Sequence, residues 1–191
     1  SAASDVYKRQ PKRQAVAMRH LCSVLYPESF EELLMRRLRR WGADVPPDVL
    51  RGRWHELRAV LATTRPTWMW SWMRTAVNGW TTSGRMNVIA PRACLCGCSA
   101  PDDLSHYLAC PVLRRLTAYP ADESSLGTSA DFLGLGTAEF HDTRSRKDCI
   151  QSVALMTQIF HLIKYRVDNS LPLRDQDLGG VRVAALHRLQ A

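Results

Sequence analysis

No run of apolar residues in this chain approaches the roughly 20 needed for a helical membrane span. No internal repeat is present, which excludes a solenoid or propeller array. Acidic residues are scarce in one half: residues 11–92 carry six Asp or Glu against fourteen Arg or Lys, a net of +8. Residues 93–191 carry eleven against ten, a net of −1, so the excess positive charge all precedes residue 93. Cysteine is thin outside one short stretch, with four of the six falling between residues 94 and 110. That distribution does not describe a disulfide-stapled scaffold.

The first ten residues, SAASDVYKRQ, can be written codon by codon as TCG GCA GCG TCA GAT GTG TAT AAG AGA CAG, which resembles a transposase sequencing adapter. They are expected to be a non-native, adapter-derived tail, with the natural protein beginning upstream of Pro11. The other 181 residues suffice for one modest domain with a real interior. Its basic block suits a polyanionic partner such as RNA or DNA. An Arg-rich, Ala-, Gly- and Pro-rich chain is also what a G+C-rich coding sequence produces, so a purely compositional origin stands beside that reading.

The pattern of what remains is helical. In PESFEELLMRRLRRWG (27–42), Phe30, Leu33, Leu34, Leu38 and Trp41 recur at helical spacing. Glu28, Glu31 and Glu32 sit in the first turns and Arg36, Arg37, Arg39 and Arg40 in the last, as the helix dipole prefers, and Gly42 is the expected stop. Pro46 and Pro47 announce a second helix with Leu50, Trp54, Leu57 and Leu61 on one face and Arg51, Arg53 and Arg58 off it. A third follows Pro66; Trp68, Trp72 and Ala76 line one side and Met69, Met73 and Val77 the next, which predicts a central position. All six tryptophans lie within the first 80 residues. Their places on apolar stripes predict core packing, with Trp80, just past the break at Asn78–Gly79, the expected exception and a candidate stacking surface for single-stranded nucleic acid. Residues 120–136, rich in Gly, Ser and Asp, predict mostly loop. Residues 147–169 carry Ile150, Val153, Met156, Phe160, Ile163 and Val167 at spacings of three and four, the longest expected helix. Beyond Ser170 the pattern breaks, and the closing VRVAALHRLQA is too short to classify. The expected organisation is a tail (1–10), a basic helical region (11–90), a knuckle (91–119), a loop-rich connection (120–146) and a C-terminal helical region (147–191).

The stretch CLCGCSAPDDLSHYLAC (94–110) concentrates the chemistry. Structural zinc takes four N or S donors in a tetrahedron, commonly as two short-spaced pairs. Cys94, Cys98, His106 and Cys110 give C-x3-C-x7-H-x3-C. A helix begun by Pro101, with Asp102 and Asp103 in its first turn, would put His106 and Cys110 at i and i+4 on one face. Gly97 sits where a tight reversal needs positive φ. Cys96 could substitute for either flanking cysteine. A disulfide would need an oxidising compartment, and bonds among Cys94, Cys96 and Cys98 would be strained. Cys22 and Cys149 fall on apolar faces and read as core thiols. The expected fold is mainly α, a small helical bundle with an inserted Cys3His zinc knuckle.

WSWMRTAVNGWTTSGRM followed by CLCGCSAPDDLSHYLACP resembles the cysteine and histidine knuckle found after the reverse-transcriptase domain of non-LTR retrotransposon polyproteins, in versions abundant in dinoflagellate and other protist genomes. The likeness covers residues 30–116 and is weaker through DFLGLG and QIFHLIKYRVDN. It implies structural Zn2+ on Cys94, Cys98, His106 and Cys110, with Cys96 a departure from the pattern. It further implies an intracellular, nuclear and cytoplasmic protein attached to an upstream reverse-transcriptase domain. RNA or DNA would be bound mostly through phosphate by Arg36, Arg37, Arg39, Arg40, Arg51, Arg53, Arg58 and Arg85, with Tyr107 or Trp80 as aromatic contacts. Neither a membrane nor a small-molecule substrate is implied. No aromatic-x-Asp-Asp hairpin of a reverse-transcriptase palm is present. Glu139, Asp142 and Lys147 precede a helix at the wrong spacing for the endonuclease that follows the knuckle in some relatives, so this chain is not expected to be an enzyme. A zinc-stapled architectural or protein-interaction module is the rival expectation.

Overall fold

A computed structural model of the protein describes residues 27–41, 45–86, 89–90, 92–117, 128–136, 143–171 and 175–190. Residues 1–10, Cys22, Gly42, Glu139 and Asp142 lie outside these, as do the side chains of Glu28, Phe30, Glu31 and Leu33. Among the described residues the regular elements are all helices: α1 (Pro27–Leu38), α2 (Pro47–Thr63), α3 (Pro66–Ala76), α4 (Leu104–Ala109), α5 (Pro111–Thr117), α6 (Ser129–Phe132), α7 (Thr143–Asp168) and α8 (Asp175–Gln190). The expected all-α architecture with a Cys/His cluster is the one found.

Local sequence explains most of these helices. Proline at the first turn of α2 and of α3 supplies a preset φ where no N–H is needed. Leu50, Trp54, Leu57, Val60 and Leu61 then bury one stripe of α2, and Met69, Trp72, Met73 and Ala76 one of α3. Thr128 and Asp131 close a capping box over α6, so the stretch expected to be mostly loop contains a short helix whose following Leu133 and Leu135 are fully buried.

The centre of the molecule is α7, which packs against α2, α3, α5, α6 and α8. Ile150, Val153, Met156, Phe160 and Ile163 are buried as their spacing requires, and Ala154, Leu155 and Ile159 extend burial around the helix. The sequence pointed to α3 as the central element. It packs instead as the principal neighbour of α7, with Trp68 and Trp70 half-buried and Val77 exposed. The last helix, α8, spans the segment that sequence left unclassified. Val181, Ala185 and Leu189, four apart, form its narrow buried stripe against α7 and α5. One continuous apolar core runs from Leu34 in α1 to Leu189 in α8 and takes in Cys94, Tyr107 and Cys110 of the knuckle.

The tryptophans belong to this core. Trp41 Nε1 donates to Ala76 O (2.8 Å) and Trp72 Nε1 to Leu133 O (3.0 Å), while Trp54 and Trp72 stack with centroids 6.0 Å apart. Trp80 corrects the sequence expectation, being wholly buried. Asn78 at φ 58° and Gly79 turn the chain back sharply after α3. A Cβ at Gly79 would lie 2.8 Å from Arg74 O, so only glycine fits this return. The reversal drops the Trp80 ring onto Phe160 (centroids 4.5 Å apart) and lets its Nε1 donate to Thr75 Oγ1 at 2.9 Å.

Candidate metal centre

The knuckle is laid down by two opposed segments. Ala93 and Pro101 form an antiparallel bridge, with Cys94 N donating to Ala100 O (2.8 Å) and Asp102 N to Arg92 O (3.0 Å). Within this loop Gly97 takes φ 89°, the left-handed conformation its position predicted, and donates to Cys94 O at 3.1 Å. The helix that follows starts later than expected. Asp103 is its N-cap, accepting from His106 N at 2.7 Å, and Asp102 lies before it, not in its first turn. Pro111 cannot continue the ladder, so α4 ends at Ala109 and Cys110 occupies the break before α5 with φ −60° and ψ 120°. His106 and Cys110 therefore converge from a helix and its C-cap, not from one helical face.

The donor atoms of Cys94, Cys98, His106 and Cys110 all lie within 4.8 Å of one another. Cys98 Sγ is 3.6 Å from Cys110 Sγ and 3.4 Å from His106 Nε2, and Cys94 Sγ is 4.0 Å from Cys110 Sγ. A tetrahedral ion with bonds of about 2.3 Å to sulfur and about 2.0 Å to nitrogen places sulfurs about 3.8 Å apart and nitrogen about 3.5 Å from sulfur. These three separations approach those of a coordination shell, and the four side chains lie close enough to hold a metal ion. Cys94 and Cys110 are buried, Cys98 and His106 half-buried, so the cluster closes off the core beneath it.

Cys96 stands outside the mutually close set. Its backbone N donates to Cys94 Sγ at 3.4 Å, stabilising negative charge on that sulfur. The neighbouring Cys110 and Cys94 sulfurs, then burial, raise its own thiol. Hydrogen bonds from Cys94 and Cys96 hold the Cys110 sulfur far below the usual thiol range, and the Cys94 thiol is raised in the same exchange.

Beneath the donors lies a support that sequence reading missed. The Asp102 carboxylate, 5% exposed, accepts from Tyr107 Oη (2.7 Å) through Oδ1 and from Ser83 N (2.8 Å) through Oδ2. Tyr107 Oη in turn accepts from Leu95 N at 3.0 Å, and its ring lies edge-on to Phe160 with centroids 4.9 Å apart. Tyr107 is wholly buried, with burial raising its phenol well above the usual range, so the expectation that it faces a nucleic acid is corrected. The loop 93–98 needs a buried anchor, and the tyrosine supplies it. Most of the WMRTAVNGWTTSGR stretch serves the fold here. Arg74 Nε donates to Gly79 O (2.8 Å), Thr75 takes the Trp80 N–H, Ser83 meets Asp102, and Arg85 Nη1 donates to Trp80 O (3.3 Å). The signal available in sequence was Asp102 directly before an N-cap aspartate, where a second carboxylate has no capping role.

Arg36, Arg37, Arg39, Arg40, Arg51, Arg58 and Arg85 are exposed, whereas Arg53 is half-buried and pairs with Glu56 at 3.5 Å. Arg40 lies over the Trp41 ring, 5.8 Å from its centroid. Cys149 is half-buried, with Sγ donating to Asp131 O at 3.8 Å. No helix among the described residues is long and apolar enough to cross a membrane. No family model matches the chain, and neither a curated protein nor a solved structure matches it.

Proposed function

We propose that this chain is a nucleic-acid-binding domain built on a structural zinc centre, the C-terminal part of a non-LTR retrotransposon polyprotein. The observation that carries the metal assignment is the mutual closeness of three sulfurs and a His106 ring nitrogen, all within 4.8 Å of one another. Soft thiolates with one imidazole select zinc over the oxygen-loving cations, and four protein donors leave no open position for catalysis. The zinc acts mechanically, locking the 93–98 loop and the α4–α5 break against Tyr107, Asp102 and Trp80. Exposed arginines of α1 and α2 support contact with RNA or DNA phosphates. The parentage rests on WSWMRTAVNGWTTSGRM with the knuckle.

Burial of Trp80 and Tyr107 favours a second reading, in which the module is purely architectural. One pair of measurements tests both. Metal analysis of purified protein is expected to return about one zinc per chain. Single-stranded RNA or DNA is expected to bind with little sequence preference, and four phosphate contacts give a slope of log affinity against log salt of roughly −3. A zinc-free folded protein removes the metal centre. Zinc-loaded protein that binds no nucleic acid at about 50 mM salt, where screening is weak, leaves the architectural module.

A further inference from the structure

A second cluster of charge lies away from the knuckle donors. His161, Lys164, Tyr165 and Asp168 follow one another at helical spacings of three and four, making a single stripe along the second half of α7. From α3, Arg74 Nη1 lies 3.3 Å from His161 Nε2, so the guanidinium donates to a neutral imidazole whose proton is on Nδ1. From α8, which packs along α7, Arg188 also acts on the ring. Burial, then Arg74, Arg188 and Lys164, push His161 down to about 4, and the three charges acting on it are all positive. The nearest counter-charge on the stripe is Asp168, which is shared between Lys164 Nζ (2.9 Å) and Arg92 Nη1 (3.3 Å). Cations from three helices therefore converge on a half-buried ring, an arrangement that repels itself and attracts an anion. One helical turn on from His161, Tyr165 is 62% exposed, with its backbone carbonyl held by Asn169 Nδ2 (2.7 Å). An exposed aromatic beside a cationic cradle matches the two halves of a nucleotide, a base to stack and a phosphate to neutralise.

We propose that His161, Lys164 and Tyr165 of α7, with Arg74 of α3 and Arg188 of α8, form a single-strand nucleic-acid site in which the cations hold backbone phosphate and Tyr165 stacks a base. This deepens the reading above and rests on it. It places contacts in the half of the chain whose net charge is −1, apart from the arginines of α1 and α2. With the other candidate platforms, Trp80 and Tyr107, buried, Tyr165 is the exposed aromatic beside positive charge among the described residues.

The test uses the full zinc-loaded chain and a fluorescent single-stranded oligonucleotide of mixed sequence, with an abasic strand of the same length as control. Lys164→Gln with Arg188→Gln is expected to flatten the salt slope by about 1.4, two single-strand phosphate contacts at about 0.7 each. Tyr165→Ala is expected to weaken the base-bearing strand by about tenfold, the scale of one base–aromatic stack, while the abasic strand binds as before. Tyr165→Phe, which keeps the ring, is expected to restore affinity. An unchanged slope in the double variant, or equal losses on both strands in Tyr165→Ala, overturns the site while wild-type binding leaves the wider reading standing. Wild-type protein that binds neither strand overturns both.

Discussion

Within the knuckle, His106 and Cys96 are separated by what their side chains reach. His106 Nε2 points at Cys98 Sγ and completes four mutually close donors; Cys96 contributes a backbone N–H to Cys94 and a thiol outside the set. Deleting one of four ligands opens the shell to water, whereas changing Cys96 leaves the shell intact. His106→Ala is accordingly expected to lose most of its bound zinc, and Cys96→Ser to retain about one ion per chain, both read by metal analysis after gel filtration. Equal loss in the two variants would make Cys96 a ligand. The ligand spacing was legible in sequence because short-range geometry limits which side chains can meet. What sequence did not reveal was the support: Asp102, Tyr107, Ser83 and Trp80 meet only after residues 80–84 fold back onto 102–107.

At the scale of elements, helices with a broad apolar stripe were readable, α2 and α3 also from their proline starts and α7 from its stripe alone. The last helix was not, because Gly179 and Gly180 are poor helix formers inside it and its buried stripe is only Val181, Ala185 and Leu189 wide. Its helicity comes from docking on α7, a tertiary effect. That docking has a pH signature. His161 sits among α7, α3 and α8 with its folded value lowered to about 4 from 6.5, first by burial and then by Arg74, Arg188 and Lys164. Between those two values the unfolded chain carries the proton and the folded chain does not, so this group's contribution is full above about 6.5 and is lost as pH falls toward 4. His161→Gln, whose amide oxygen can still accept from Arg74, removes the titration. Urea unfolding of both proteins across this window is expected to show the wild-type advantage shrinking with acidity. A difference that stays constant from neutral pH to pH 4 would mean the imidazole is solvated. Subtracting the variant cancels the protonation of the knuckle thiolates and of the carboxylates, which acid also drives.

For the whole molecule, the position of the charge was legible and the position of the aromatics was not. Composition alone located the positive excess before residue 93, and Arg36, Arg37, Arg39 and Arg40 are exposed at the end of α1 and just beyond it. Trp80 and Tyr107 looked available for stacking but are spent on joining the knuckle to α7, since Trp80, Tyr107 and Phe160 pack ring against ring. The molecule thus combines two separable parts, a core capped by the Cys/His cluster and a charged exterior. Converting Arg36, Arg37, Arg39 and Arg40 to Gln tests that separation, because those residues are far in sequence from the donors and point into solvent. The zinc content is expected to stay at about one ion per chain. The salt dependence of single-strand binding is expected to flatten, by about 0.7 in slope for every phosphate no longer neutralised. Anisotropy titrations from about 50 to 200 mM salt read the slope directly. A quadruple variant that binds as tightly as wild type, with the same slope, would show that the α1 arginines touch no phosphate. Nucleic-acid contact would then rest on Arg51 and Arg58 of α2 and on the site that α7 shares with α3 and α8.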